Sequence, residues 1–333
     1  MRIGTFNIEN LTDEPPTDDR TPSFAERAAI LRLQLDRMRA DILCLQEVHG
    51  QDVENAPREL RALRRLLEGT RYEAYDLRST RLANGRDVEK FRNLVTLVAP
   101  GFMFEETREI LHDYAPAPQY NFVTDDEATV RDIKWDRPLL YTRLRCPDGC
   151  RLHVLNAHFK SKIPTTIPGQ KINNFTWRTA GGWAEGFFVS SMKRVGAALE
   201  ARLFVDALIA QDQVANVVIC GDLNAEAGDV PLQALRGEVE DTQNPELNPF
   251  TLYPCENSVP EDQRFTLYHH GRKTMLDHIL VSRAMMGRYL GTEIHNEIVR
   301  DESVAFAFDK KFPASDHAPV IASFGDLADH LSG

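Results

Sequence analysis

The chain has 333 residues, 42% hydrophobic and 27% charged, with a formal net charge of −11. This is the composition of a folded globular chain with a full core; it excludes low-complexity, collagen-like and disordered classes. The acidic balance excludes adhesion to nucleic acid over a broad basic surface, though not a local basic groove, and no apolar run is long enough to span a membrane.

Residues 1–7 read as a strand that starts at once, with no signal-peptide pattern before it. A cytoplasmic location follows as an expectation, with no stable membrane association and no protein partner inferred. A Pro/Asp-rich loop precedes a helix from Ser23, where Ser23 and Glu26 form a capping-box pattern. Asp41 to Val48 is the next strand, residues 57–68 a Leu-striped helix, and Leu94 to Val98 another strand.

Residues 101–135 read as a long loop with short strands. Leu139–Arg145 and Leu152–Phe159 flank Pro147-Asp148-Gly149 as a hairpin. Residues 161–182 look like an inserted loop, and a long helix runs from about Glu185 to Ala210. Val217–Cys220 is a buried strand, with a short helix near Leu232 after it. Phe265–Tyr268, Leu276–Ser282, Ile294–Val299 and Pro319–Phe324 complete the strands. With many strands, few helices and no regular βαβ repeat, the layer rules favour an α/β fold of two packed sheets with helices outside. No linker divides the chain, so residues 1–333 are expected to form a single domain.

The five cysteines are an odd count. Cys44 and Cys220 fall inside core strands. Cys146 and Cys150 flank the Pro-Asp-Gly turn, which a disulfide could span, although free thiols suit an intracellular chain better. No Cys-x-x-Cys zinc spacing occurs.

Six strand-like runs end in polar side chains. They deliver Asn7 and Glu9, Gln46 and Glu47, Asn156 and His158, Asp222 and Asn224, Asp277 and His278, and Asp316 and His317. Strand ends are where α/β proteins carry chemistry. Carboxylates with amides suit Mg²⁺ or Mn²⁺, and nearby imidazoles suit phosphoester hydrolysis. Each run alone is also readable as a turn or a solvated strand end.

The set Phe6-Asn7-Ile8-Glu9-Asn10, Leu45-Gln46-Glu47-Val48, Asn156-Ala157-His158, Gly221-Asp222-Leu223-Asn224, Leu276-Asp277-His278 and Ser315-Asp316-His317-Ala318-Pro319 resembles the endonuclease/exonuclease/phosphatase superfamily, in family order and across nearly the whole chain. The resemblance implies a four-layered α/β sandwich like that of DNase I. It implies Glu47 as main metal ligand, with Asn7 and Glu9 close to the metal and Asp316 sharing in it. It implies Asp222 as the residue that activates water, Asn224 beside it, His317 on the scissile phosphate, Asp277 orienting that histidine, and His158 bonding a phosphate oxygen.

The runs Asn156 to Lys162 and Asp136 to Leu139 resemble nuclease-like bacterial members, which makes Asn156, Lys160, Lys162 and Arg137 candidate substrate contacts. Residues 88–94 depart from the Gly-rich pattern common in the family. Trp177 joins the candidates because aromatics and cations alternate between 160 and 183; bases stack on such rings while cations track phosphates, but the rings could equally pack on the body. Strand alternation sets His278 opposite Asp277, so His278 reads as structural, and Arg194 reads as a surface ion pair. The expected activity is a metal-dependent phosphodiesterase acting on DNA or RNA. The alternatives are a phosphomonoesterase or lipid-headgroup phosphodiesterase, and a non-enzymatic binding module.

Overall fold

The computed structural model describes residues 1–125, 129–305 and 311–325. Besides three small two-stranded hairpins, its strands are β1 (Arg2–Leu11), β2 (Ile42–Val48), β3 (Asp76–Ser79), β4 (Asn93–Val98), β5 (Met103–Ile110), β6 (Leu139–Arg145), β7 (Arg151–His158), β8 (Val217–Asp222), β9 (Tyr253–Pro254), β10 (Asp277–Val281), β11 (Tyr289–Ile294) and β12 (Val320–Phe324). They form two six-stranded sheets, in the orders β11-β12-β1-β2-β4-β3 and β9-β10-β8-β7-β6-β5. Each sheet is mixed: β1 and β2 run parallel in the first, β7 and β8 in the second, and antiparallel neighbours flank them.

Side-chain alternation sorts each strand between two cores. On β8, Val218 and Cys220 face the other sheet, where they share a core with Ile3, Ile42 and Cys44. Val217 and Ile219 face the opposite way, into a core with Ala198, Ala201 and Val205 of helix α3 (Ala180–Gln211) and Leu232 of α4 (Val230–Arg236). Phe6 and Leu43 of the first sheet pack on Leu31 and Leu35 of α1 (Phe24–Met38) and Leu63 of α2 (Arg61–Leu67). The result is helix, sheet, sheet, helix: the four-layered α/β sandwich expected. Among the described residues no helix is long and apolar enough to cross a membrane.

The capping box at Ser23 forms as read, with Ser23 and Glu26 bonding each other's backbone. Several boundaries differ from the sequence reading. The helix expected at 57–68 shortens to Arg61–Leu67, because Ala56–Glu59 instead pairs with Gln51–Val53. Residues 103–110 form a full edge strand. Its Glu105 and Glu106 hid the pattern and are paired with Arg143, Arg145 and Arg151; charge on an edge blocks pairing with other chains. Helix α3 starts five residues early, at Ala180, capped by the Thr179 hydroxyl. Gly182 is a close-approach position rather than a breaker, since a Cβ there would lie 2.5 Å from Gln170 Oε1. Strand pairing covers Tyr289–Ile294, not Ile294–Val299, because Asn296 leaves the sheet to bond the Gln263 and Phe265 carbonyls. The run read at Phe265–Tyr268 lies partly in a small separate hairpin, Leu267–His269 with Arg272–Thr274.

Candidate active site

The alternation that builds the inter-sheet core also builds the site. On β7, Leu152 and Val154 face the other sheet, so Asn156 and His158 continue that row. Val218 and Cys220 are likewise followed by Asp222, and Val281 and Ile279 lead to Asp277. Register then aligns the three ends: His158 lies opposite Asp222 on parallel β7 and β8, and Asp222 opposite Asp277 on antiparallel β8 and β10. Gly221 is what permits this. It sits at φ +143°, and a Cβ would lie 1.9 Å from the Ala157 carbonyl oxygen.

The first sheet closes the other wall. Between the apolar core and the site lies a buried polar layer. Gln46 Nε2 donates to Thr5 Oγ1 at 3.1 Å and to Asn156 Oδ1 at 2.8 Å, and Asn156 Nδ2 donates to the Leu45 and Val95 carbonyls. One step further out, Asn7 Nδ2 donates to Asp222 Oδ2 at 3.0 Å, across the two sheets. By alternation Glu47 belongs on the helix side, with Leu43 and Leu45. A left-handed backbone at Glu47 (φ +60°), with another at Glu9 and Asn10, breaks the alternation. Glu47 Oε2 then accepts from the Asn10 amide, while Oε1 lies 3.7 Å from His158 Nε2 and 3.6 Å from Arg92 Nε. The Ser315 hydroxyl donates to the Asn7 carbonyl and accepts from the His317 amide, which docks the His317 loop on β1.

Asp222 is held at both oxygens, Oδ1 by the Asn224 amide and Oδ2 by Asn7. Two imidazoles approach Oδ2, His158 Nε2 at 3.4 Å and His317 Nε2 at 3.9 Å. Burial pushes Asp222 up to about 7, against the lowering effect of His317. The two histidines diverge. His158 is driven well below its ordinary value by burial and then by Arg137, so it is neutral. His317 is held well above it: burial opposes the charge, but Asp277, Asp316 and Asp222 outweigh burial. Its Nδ1 donates to Asp277 Oδ2 at 2.6 Å, the length of a charge-assisted bond.

The remaining candidates separate. Arg137 is half-buried behind the site and donates to the His158 and Phe159 carbonyls. Asn224 donates from Nδ2 to the Phe159 carbonyl. Glu9 is half-buried, 3.9 Å from Arg27, and Asp316 is half-buried beside His317. Asn156, read as a substrate contact, is withdrawn from the surface: it is wholly buried, with its amide engaged in the inter-sheet layer.

Lys162 points away from a substrate role, because Asp229 and Glu226 pair with it at 2.8 and 3.2 Å. Lys160 Nζ folds onto the Ser161 and Ile163 carbonyls, and burial lowers it to about 8. Trp177 packs by Gly186, with the Lys171 ammonium 4.2 Å over its ring. Arg194 is not a surface ion pair: it is buried and donates to the Lys160 and Ser161 carbonyls, which pins the start of the loop. His278 is structural as read, bonded to Glu256 and to the Ala225 carbonyl.

Sequence reading missed Arg92 and Arg27. Arg92 lies in the segment that departs from the Gly-rich pattern, and that departure was the available signal. Arg27 clamps the Ile8 and Glu9 carbonyls from a helix, where nothing in the spacing marked it.

The donor set bears on whether a divalent cation fits. Glu47 Oε1 meets the Arg92 guanidinium and the neutral His158 only at long range, Asn7 Oδ1 accepts from the Glu9 amide, and the Glu9, Asp316 and Glu47 carboxylates all bear on the Arg27 guanidinium. Carboxylate and amide oxygens are the donor types that fit a hard cation such as Mg²⁺ or Mn²⁺. Asp222, Asp277 and His317 also bring ligand-type atoms within 4.8 Å of one another, but a protonated imidazole has no lone pair to give, so that trio is an ion-paired relay.

A family model described as Endonuclease/Exonuclease/phosphatase family matches residues 4–317. The chain belongs to this family. It is accordingly a phosphoesterase of that superfamily, whose enzymes are generally dependent on divalent metals. Solved structures share its fold across nearly the full length. An endonuclease/exonuclease/phosphatase family protein from Bacteroides thetaiotaomicron aligns at TM-score 0.60 and 16% identity, covering 99% of this chain and 96% of that one. A mannosyl-6-phosphatase of the same organism aligns at 0.59 and 15%, covering 98% and 100%. A 3′ phosphatase from Neisseria, bound to a product DNA hairpin, aligns at 0.53 and 14%, covering 98% and 100%. At these identities the likeness speaks to the fold. No curated protein matches the sequence.

Proposed function

We propose that this protein is a Mg²⁺- or Mn²⁺-dependent phosphodiesterase that cleaves DNA or RNA, and that residues 1–333 act as one catalytic unit. The observation that carries the reading is the pair of unlike imidazoles on Asp222. A neutral His158 and a charged His317 flank one carboxylate that is held at both oxygens. The single-unit reading rests on the way Asn7, Glu47 and His317 come from the first sheet and its loops, and His158, Asp222 and Asp277 from the second.

Asp222 takes a proton from the attacking water; a carboxylate whose pKa lies near the working pH is suited to that step. Asn7 and the Asn224 amide keep its orientation fixed, so the water enters in line with the leaving oxygen. His317 presents its Nε2 proton to a phosphate oxygen, while Asp277 holds the Nδ1 proton and keeps the ring charged as negative charge develops on phosphorus oxygens. His158 donates a neutral hydrogen bond to the same group. Glu47, with Asn7, Glu9 and Asp316, would hold the cation. When bound, the cation supplies positive charge against the phosphate oxygens.

A polymeric substrate is favoured by exposed aromatic rings on the loops leaving the site. Phe91 is 61% exposed next to Arg92, and Phe175 is 91% exposed at the tip of the 161–179 loop; nucleobases stack on such rings. One observation favours a second reading, a phosphomonoesterase acting on a compact substrate. Lys160, Lys162 and Lys171 of the same loop are each turned onto the protein itself and offer no continuous cationic track.

A metal-dependent panel tests both: single- and double-stranded DNA, RNA, bis-p-nitrophenyl phosphate, p-nitrophenyl phosphate, sugar phosphates and phospholipids. Diester and nucleic-acid turnover is expected, abolished in Asp222→Asn and His317→Ala proteins that keep their fold. Full activity of purified Asp222→Asn sinks the mechanism, and turnover of monoesters alone selects the second reading.

A further inference from the structure

The end of the sandwich opposite the active site holds a second constellation, which the phosphoesterase chemistry does not use. Met1 leads into β1 there, the β6–β7 hairpin turns there through Cys146-Pro147-Asp148-Gly149-Cys150, and Arg288 and Gly325 flank β11 and β12. Together they line a cavity of about 270 Å³. The Cys146 amide donates to the Cys150 carbonyl, so the two cysteines are the next cross-strand pair beyond Arg145 and Arg151. Cross-strand partners have their Cβ atoms within about 5.5 Å, inside the reach of a disulfide after small adjustment. Both thiols are free. Cys146 is buried, and Cys150 is half-buried at the cavity wall.

Arg288 is the unusual member. It is 4% exposed, its Nη1 lies 3.8 Å from Cys150 Sγ, and its Nε and Nη2 find no hydrogen-bond partner among the described residues. A buried guanidinium with free donors against a sulfur favours the thiolate over the thiol. Asp148 opposes this in part, but its Oδ1 is occupied by the Cys150 amide, and Asp41 on the cavity wall is occupied by the Arg2 amide. Cys146, Asp148 and Cys150 also bring ligand-type atoms within 4.8 Å, yet the guanidinium at the sulfur repels a metal cation, so thiol chemistry is the better use of the cluster.

We propose that Cys150 and Cys146 form a reversible dithiol modification site, with Cys150 as attacking thiol, Cys146 as resolving thiol, and low-molecular-weight disulfides as co-reactant. The Cys150 sulfur, its proton already released to solvent, attacks one sulfur of the small disulfide. A Cys150–S bond forms, the small S–S bond breaks, and one small thiolate leaves with the electron pair. Cys146 then loses its proton to solvent and attacks Cys150 Sγ, expelling the second small thiolate. Both small thiolates are reprotonated, so two protein thiols are oxidised and one small disulfide is reduced to two thiols. A lowered Cys150 pKa, owed first to the hydrogen bond from Cys146 and in part to Arg288, is consistent with this order.

The test uses the full chain incubated with oxidised glutathione at neutral pH, followed by alkylation, intact mass and peptide mapping. The expected product is a Cys146–Cys150 disulfide, a loss of 2 Da with no retained glutathione, while the buried Cys44, Cys220 and Cys255 stay reduced. Cys146→Ser should instead accumulate glutathione on Cys150. Arg288→Gln should slow the reaction of Cys150 by roughly three- to tenfold at neutral pH. Should Arg288→Gln fail to fold, the pH dependence of Cys150 alkylation in the unaltered protein decides, and a value at or above about 8.5 overturns the proposal. Unreacted thiols, or glutathione retained on wild-type Cys150 without closure, also overturn it.

Discussion

Replacing Asp277 by Asn removes one charge from a buried pair and leaves its shape. Asp277 is fully buried and accepts from His317 Nδ1 at 2.6 Å. Unit charges about 4 Å apart interact by about 4 kcal/mol at an effective dielectric near 20. The Asn oxygen can still accept from Nδ1 and keeps part of this, so the net loss is nearer 3 kcal/mol, or roughly two pH units at about 1.36 kcal/mol each; Asp222 and Asp316 also raise His317 and remain in the variant.

The sign follows from the direction of the perturbation. His317 is held above its ordinary value, so its charged form persists to high pH and activity falls as pH rises through that value. In Asp277→Asn the same fall occurs about two pH units lower. Between the two limbs the variant should lose up to about a hundredfold in kcat/KM, with partial recovery toward acid. The assay is the pH profile of kcat/KM on a phosphodiester with saturating Mg²⁺, alongside a thermal melt. An alkaline limb that stays in place, whatever the height of the plateau, refutes the claim that Asp277 keeps His317 charged.

Three further predictions address the frame around that pair. Glu47→Gln should keep its melting temperature while losing about tenfold or more in Mn²⁺ affinity by titration, since a carboxylate is exchanged for an amide among oxygen donors; unchanged affinity removes Glu47 from the metal site. Asn156→Ala should cost about 2–4 kcal/mol in denaturant unfolding, because Gln46 and two carbonyls lose buried partners; its KM should hold, and a raised KM at wild-type stability would return Asn156 to the substrate. Gly221→Ala should cost roughly 3 kcal/mol or more and also lower activity, since opening β7 from β8 separates His158 from Asp222; a variant of native stability would show that the close approach at Ala157 is not needed.

Much of this protein is set by local pattern. Period-two alternation in Leu152–Val154, Val218–Cys220 and Ile279–Val281 placed the polar residues that follow, and the apolar runs marked where strands end. That is why Asn7, His158, Asp222 and Asp277 were legible as one group, and why His278, one position off, was readable as structural. Alternation is a property of the backbone and needs no neighbour.

What depended on neighbours was not legible. Asn156 sits on the same row as His158, and only the facing first sheet, which brings Gln46 to it, makes it a structural residue. Glu47, named a metal ligand through the family resemblance alone, has the wrong parity for the site and reaches it through a left-handed turn that no residue type there announces. Arg194 read as a surface ion pair and Lys162 as a substrate contact until tertiary packing gave one the Lys160 carbonyl and the other Asp229. The charges of the two imidazoles were decided last. His158 and His317 are the same residue at strand ends, and only burial near Arg137 in one case, and among three carboxylates in the other, makes one neutral and the other charged.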